Sequence, residues 1–496
     1  MATRRSTQGS RTRRAASTTR RTARHSGRSL PRSGAAGAQI GNVAGLGSGA
    51  DARSRSGRVR TRSNAAHART DRRSRGTSRG TASRTPSGGP VITRRHLIAG
   101  AVGVGALAAI GGGVYVTTHQ NDSDDIDVLE VPESAVFSSN DLGDSSPAEE
   151  HMRLAGNFEL PYGTLVFSSS DRLACCIVPS ETANPLCTVG LLWLGSGNLS
   201  TVLSTAQGQE EGFQIYDARA TDSGLVWIEE DILEGTWRVY TAPLSSDGAL
   251  GSPALADEGG GDWETPSIAA AGSRAFWQVM PKVGTDSSSE SSLVKSTTFG
   301  SSDVQTVWTS KGRLATAPYA CADAVVITPR TDTSSTHYQL TRIDASSCNA
   351  TDTLVLPTRM SPLEAGFGDT GFMFSFDAIY NYGGGIANLG TYCPAQDARG
   401  ADYSAAPWFR FARTPSAAPA WCGGYLMVKS TTSVCGVDLA TREWFTLGME
   451  NGSDDYGDYL ATTGSVGAVV TYANIDHTPL GGEHIHCCRV RVWKPV

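Results

Sequence analysis

Ala220-Thr221-Asp222-Ser223-Gly224-Leu225-Val226-Trp227, followed after a polar loop by Trp237-Arg238-Val239-Tyr240-Thr241-Ala242-Pro243-Leu244, holds the two elements on which the reading of this chain turns. A polar turn ending on glycine releases the chain into a short apolar strand. The partner alternates, which buries one face of a sheet and wets the other. The first element recurs at Leu165-Val166-Phe167, Ala275-Phe276-Trp277, Val325-Val326-Ile327, Phe372-Met373-Phe374, Leu426-Met427-Val428 and Val469-Val470-Thr471. Between central residues the intervals are about 60, 50, 50, 47, 54 and 43 positions, the length of one four-stranded propeller blade.

Alternating partners follow at Leu293–Ser296, Tyr338–Thr341, Val434–Val437 and Arg489–Trp493, and fourth strands at Val304–Trp308 and Glu443–Leu447. The expectation is therefore an all-β, seven-bladed β-propeller over residues 127–496, with six or eight blades as the alternatives. Val496 follows what reads as a third strand. An unpaired edge exposes a row of backbone donors and acceptors, so Val128–Val131 or Ser134–Phe137 is expected to complete the seventh blade. The 220–244 unit resembles the TolB/WD40-like propeller repeat, with its turn, hydrophobic-aromatic strand and following aromatic strand. That resemblance implies a scaffold and says little of chemistry.

Outward from the repeats the composition changes abruptly. The chain has 496 residues and a formal charge of −5, but residues 1–95 hold 23 Arg, no Lys and only Asp51 and Asp71 as acids. That segment has too few branched or aromatic residues to offset its ordering entropy, and it reads as a disordered basic tail. Its guanidinium groups suit anionic lipid or nucleic acid, or simply fix membrane topology. Residues 97–116 form an uncharged run of 20, long enough to cross a bilayer as one helix. Arginines before the run and acids in the stalk at 118–126 place the N-terminus in the cytoplasm and the propeller outside a bacterial cell membrane that the chain crosses once. Thr93-Arg94-Arg95-His96-Leu97-Ile98 resembles a twin-arginine export signal. The export motif would be Arg94 and Arg95, so 96–117 is an anchor or a Tat-like signal; the motif lies far from Met1 and no clear cleavage site follows it.

All ten cysteines fall after the apolar run, where an oxidising compartment favours disulfides. Cys321 with Cys348 and Cys422 with Cys435 would each close one blade. A bond between the doublets Cys175-Cys176 and Cys487-Cys488 would staple the first blade to the last, and Cys393 with Cys187 is left open. In Glu483-His484-Ile485-His486-Cys487-Cys488, near His477, strand geometry puts His484, His486 and Cys488 on one face. His484, His486 and Glu483 are thus candidate metal ligands, against two ordinary histidines on a half-exposed strand. The acidic loops Asp257 to Glu264 and Asp454 to Asp458 read as calcium sites or solvated turns.

No G-x-S-x-G, Walker or H-E-x-x-H motif occurs. The single stretch from Ala220 to Trp227 has part of a sialidase Asp-box and reads as a turn. The leading functional expectation is a membrane-anchored extracytoplasmic binding module. Tyr380, Tyr382, Trp408 and Tyr456 would line a face for a protein or glycan ligand. Its alternatives are an extracellular hydrolase acting on glycans or peptides, which would need two converging carboxylates, and an envelope scaffold gripping lipid or DNA through the tail.

Overall fold

Strand formation follows the two-residue alternation. In Gly224–Asp231, Leu225 and Trp227 enter one apolar layer while Val226 and Ile228 enter the next. A strand buried on both faces is what stacking of sheets around an axis demands. The computed structural model describes residues 126–331, 337–376 and 385–496, and it is an all-β propeller.

Among the described residues the strands assemble into seven sheets, taken here in chain order. Sheet 1 is Leu165–Phe167, Leu173–Pro179, Cys187–Trp193 and Leu199–Leu203. Sheet 2 is Gln214–Thr221, Gly224–Asp231, Thr236–Pro243 and Ala254–Gly259. Sheet 3 is Ser267–Ala271, Arg274–Val279, Ser292–Thr298 and Gln305–Ser310. Sheet 4 is Tyr319–Cys321, Ala324–Ile327, Gln339–Asp344 and Ala350–Val355. Sheet 5 holds Glu364–Gly368, Gly371–Phe376, Gly390–Pro394 and Trp408–Phe411. Sheet 6 holds Ala420–Cys422, Tyr425–Lys429, Val434–Val437 and Trp444–Thr446. Sheet 7 is Tyr459–Leu460, Val469–His477, Ile485–Pro495 and Met152–Leu160.

Apolar layers lie between neighbours all the way round. Sheets 1 and 2 share Cys175, Leu191, Leu225 and Trp227. Sheets 6 and 7 share Met427, Phe445, Val469 and Trp493, and sheets 7 and 1 share Val490, Val470, Val166 and Leu192.

Two expectations about strands are corrected. Leu165–Phe167 is the first strand of its sheet; the position equivalent to Gly224–Asp231 belongs to Leu173–Pro179. Sheet 7 is completed by Met152–Leu160, antiparallel to Ile485–Pro495, and not by Val128–Val131 or Ser134–Phe137. Those earlier residues run round the outside instead. Val128 bridges Val355 of sheet 4, and Val136–Ser138 and Ser145–Ser146 pair parallel with the outer strands of sheets 5 and 6. The reason is geometric: the segment reaches three outer edges before it arrives at the seventh sheet.

The basic tail, the apolar run 97–116, Arg94 and Arg95, and the stalk up to residue 125 lie outside the described residues. Among the described residues no helix is long and apolar enough to cross a membrane.

Candidate functional site

The innermost strands converge on the axis, where space admits mainly small side chains. They leave a cavity of about 440 Å³ whose walls draw on strands of sheets 1 to 5 and on the loops adjoining the first strands of sheets 6 and 7. Ala220, Ala269, Ala320, Ala365, Ala417 and Ala461 alternate with the hydroxyls of Ser168, Ser267, Thr316, Ser416 and Thr463. Three charged side chains line it, Asp217, Arg219 and Glu364, together with the phenol of Tyr319.

A bulge between Ile215 and Asp217 sets the first pair. It shifts the alternation, so that Ile215, Ala218 and Ala220 share one apolar layer and Asp217 and Arg219 take the intervening positions. Arg219 Nη1 donates to Asp217 Oδ1, and to the Ala218 carbonyl at 2.7 Å. Its guanidinium lies 3.5 Å from the centroid of Phe167, a cation–π contact that fixes the remaining donors at the cavity wall.

Glu364, the first residue of sheet 5, is gripped by Arg413 through two bonds, Nη2 to Oε2 at 2.8 Å and Nη1 to Oε1 at 3.3 Å. Arg413 also donates to the carbonyls of Thr414 and Ala417 at 2.9 and 2.8 Å, which clamps the loop entering sheet 6. Both carboxylates of the cavity are therefore committed to guanidinium groups. No histidine, cysteine or lysine lines the cavity among the described residues. The walls supply hydrogen bonds, one stacked cation and apolar contact, which is equipment for holding a ligand.

Asp257, Glu258, Glu264 and Asp458, from the acidic loops, serve as structural counter-ions. Asp257 accepts from Lys295 Nζ and Trp277 Nε1, each at 2.8 Å, and Glu264 pairs with Arg313 at 2.5 Å. Asp458 is buried against Arg491, whose other arm faces Glu450 at 3.7 Å. Burial pushes Asp458 up to about 6 against the pull of Arg491, and burial pushes the neighbouring Lys429 down to about 8. Lys429 Nζ donates to the Tyr456 carbonyl at 2.6 Å.

Among the aromatics expected at a face, Trp408 is a core residue whose Nε1 donates to the Tyr403 carbonyl at 3.0 Å. Tyr456 is exposed, and Tyr380 and Tyr382 lie outside the described residues.

All ten thiols are free, which corrects the disulfide expectation. Cys321 packs between sheets 4 and 5 while Cys348 faces sheet 3. Cys422 faces sheet 7 while Cys435 faces sheet 5. Each proposed pair thus sits on opposite faces of one sheet, Cys435 two strands from Cys422 and Cys348 in the turn after the third strand of sheet 4, beyond disulfide reach. Cys176 and Cys488 do share the layer between sheets 7 and 1, whereas Cys175 and Cys487 point elsewhere. Burial pushes Cys175, Cys321, Cys393 and Cys488 up to about 12, and Cys187 and Cys422 up to about 11. Such thiols stay protonated and unreactive.

His484 and His486 lie together, and the third member of their group is Asp476. Asp476 lies directly across the ladder from His486. Cys488 is buried, with its thiol 3.5 Å from the Thr164 carbonyl, and Glu483 is an exposed turn residue outside the group. A hairpin register drawn back from His486 would have found Asp476.

Neither a protein-family model nor a curated protein matches the chain. Among solved structures it is similar to puromycin hydrolase, at 12% identity and TM-score 0.41, over 66% of this chain and 53% of that one. TolB from Acinetobacter baumannii is similar at 12% identity and TM-score 0.30, over 68% and 80% of the two chains. The WD40 domain of SCAP from fission yeast is similar at 10% identity and TM-score 0.34, over 70% and 98%. The chain spans about half the length of the hydrolase and peptidase structures it matches. At these identities the likeness is one of fold.

Proposed function

We propose that the seven sheets act as seven blades around one channel, and that this propeller is an extracytoplasmic binding module for a protein or peptide ligand, tethered through residues 97–116. The observation that carries the binding role is the cavity: sheets 1 to 5 and the loops adjoining sheets 6 and 7 contribute to it, and both of its carboxylates are neutralised by arginines. Hydrolysis needs an acid and a base, or an activated nucleophile, free to meet a substrate.

Bare aliphatic side chains support a protein partner. The turns joining second to third strands carry Leu186 in sheet 1, Ile232 and Leu233 in sheet 2, Val283 in sheet 3 and Leu480 in sheet 7. Leu233 is 94% exposed and Leu480 is fully so. Equivalent turns in a ring lie at one end, and these four sheets are consecutive, so the tips form one apolar-studded arc.

A photo-reactive side chain placed at Leu233, and separately at Leu480, is expected to cross-link the full chain to the same protein in intact cells. The same group at Ser246, in a turn at the opposite end, is expected not to. Turnover of any peptide or glycoside in a fluorogenic panel that is lost with Asp217→Asn or Glu364→Gln would replace this reading with the hydrolase. A periplasm-dependent phosphatase fused after Val496 is expected to be active; an inactive fusion would remove the tether.

A further inference from the structure

We propose that the turn end of the hairpin Val469–His477 and Ile485–Pro495 is a binding site for a divalent transition-metal ion of the zinc class, with Asp476, His484 and His486 as its protein ligands. The site lies apart from the cavity, in the hairpin turn that also carries Leu480, and its test does not depend on the binding role proposed above.

His484, one residue before the strand, keeps its alternation, so it and His486 lie on one side, two residues apart. Cross-strand pairing sets Asp476 opposite His486, so the carboxylate reaches the same side from the neighbouring strand. His484 Nε2 is 3.3 Å from Asp476 Oδ1, and His486 Nδ1 is 3.7 Å from Oδ2. The three ligand atoms all lie within 4.8 Å of one another, the one such trio of His, Cys, Asp or Glu among the described residues. All three side chains are about half exposed, so a small rotation of each closes them onto one ion.

Two further contacts prepare the imidazoles for that task. His484 Nδ1 is 3.0 Å from Thr478 Oγ1. When the ring donates its proton to that hydroxyl, Nε2 turns its lone pair toward Asp476, which is the arrangement metal-bound histidines use. The ring of His486 stacks on Tyr162 with centroids 4.1 Å apart and planes 15° from parallel, which holds its orientation. The two imidazoles are themselves near parallel, 17° apart at 6.0 Å.

Donor chemistry selects the ion. Two imidazoles and one carboxylate suit zinc, cobalt, nickel or copper, whereas calcium and magnesium ask for oxygen alone. Three protein ligands leave a fourth position for water or for an incoming carboxylate.

The untagged full chain titrated with zinc chloride in a calorimeter is expected to bind one ion per chain at this site. His484→Ala and His486→Ala should each weaken binding by about tenfold or more, and Thr478→Val, which keeps all three ligands, by about tenfold or less. Unchanged circular dichroism would show that these exposed substitutions leave the fold intact. Cobalt should give the visible bands of a four-coordinate nitrogen–oxygen site, bleached in both histidine variants. Absence of stoichiometric binding, binding indifferent to both histidines, or a thiolate charge-transfer band from a cysteine site would overturn the proposal.

Discussion

Sheets 5 and 6 and sheets 1 to 3 solve the same problem in two ways. Each has an outer strand whose far side lacks a partner within its own four strands. In sheets 5 and 6 that side is covered by the parallel pieces Val136–Ser138 and Ser145–Ser146, and the ladder between third and fourth strands is regular. Sheets 1, 2 and 3 have no such cover among the described residues, and each third-to-fourth ladder carries a bulge, at Val189/Gly190, Val239/Tyr240 and Val294/Lys295. A bulge twists an edge away from straight pairing, so a bare edge is blunted while a covered one keeps the regular spacing its cover needs. Sheet 4 fits between them: it has the single bridge from Val128, and a bulge at Arg342/Ile343.

The largest expected effect tests how deeply the covered edge is built in. Trp408, on the outer strand of sheet 5, is fully buried; Trp308, on the outer strand of sheet 3, is half-buried. Trp408→Ala should cost about 3–5 kcal/mol in denaturant unfolding, and Trp308→Ala well under that, about 2 kcal/mol or less. Equal losses would break the contrast.

A smaller change should erase the contrast from the other side. Phe137 packs 5.3 Å from Phe409, and Arg442 lies over its ring at 4.5 Å. Phe137→Ala should lose about 1–3 kcal/mol and loosen the covering piece. Amide exchange in Trp408–Phe411, expected to be slow in the native chain, should then rise toward the rate of Gln305–Ser310. Exchange already equal in the two strands would show that the cover adds no protection.

The smallest effect belongs to the turns. Asp344 ends the third strand of sheet 4 and accepts from the Ser347 amide at 2.8 Å and from the Ser346 and Ser347 hydroxyls at 2.7 Å each. These bonds, led by the Ser347 amide, hold its carboxyl down at about 2. A depressed carboxylate stabilises the fold above its ordinary value of 3.8 and loses that contribution as pH falls toward 2. Asp344→Ala should therefore cost about 0.5–1 kcal/mol at neutral pH, at the low end because solvent screens the half-exposed group. The difference from native should vanish on acidification, as read from unfolding midpoints across that window.

Particular residues show how much was legible beforehand. The strands around Leu225–Trp227, Ala275–Trp277 and Val325–Ile327 announce themselves because each is apolar on both faces and bounded by turn residues. The phase slipped in sheet 1, where Leu173–Pro179 carries two cysteines in mid-strand and reads less like its counterparts. Val136–Phe137 is legible as part of a strand but its partner is not, and Met152–Leu160 escapes detection because its first half, Arg153–Ala155, is exposed and only Gly156–Leu160 alternates. The cysteine pairs failed for a related reason. Separation along the chain does not say which face of a sheet a side chain takes, and one residue of shift reverses it.

Local pattern by itself determined that this chain builds repeated four-stranded sheets with both faces buried, and that His484 and His486 share a side. Only the folded ring decided which strand closes the last sheet, which edges are covered, that Asp476 joins the histidines, and that every cavity carboxylate meets an arginine. The reason is range: alternation is set between neighbours in the chain, whereas closure and charge pairing are set between residues tens or hundreds of positions apart.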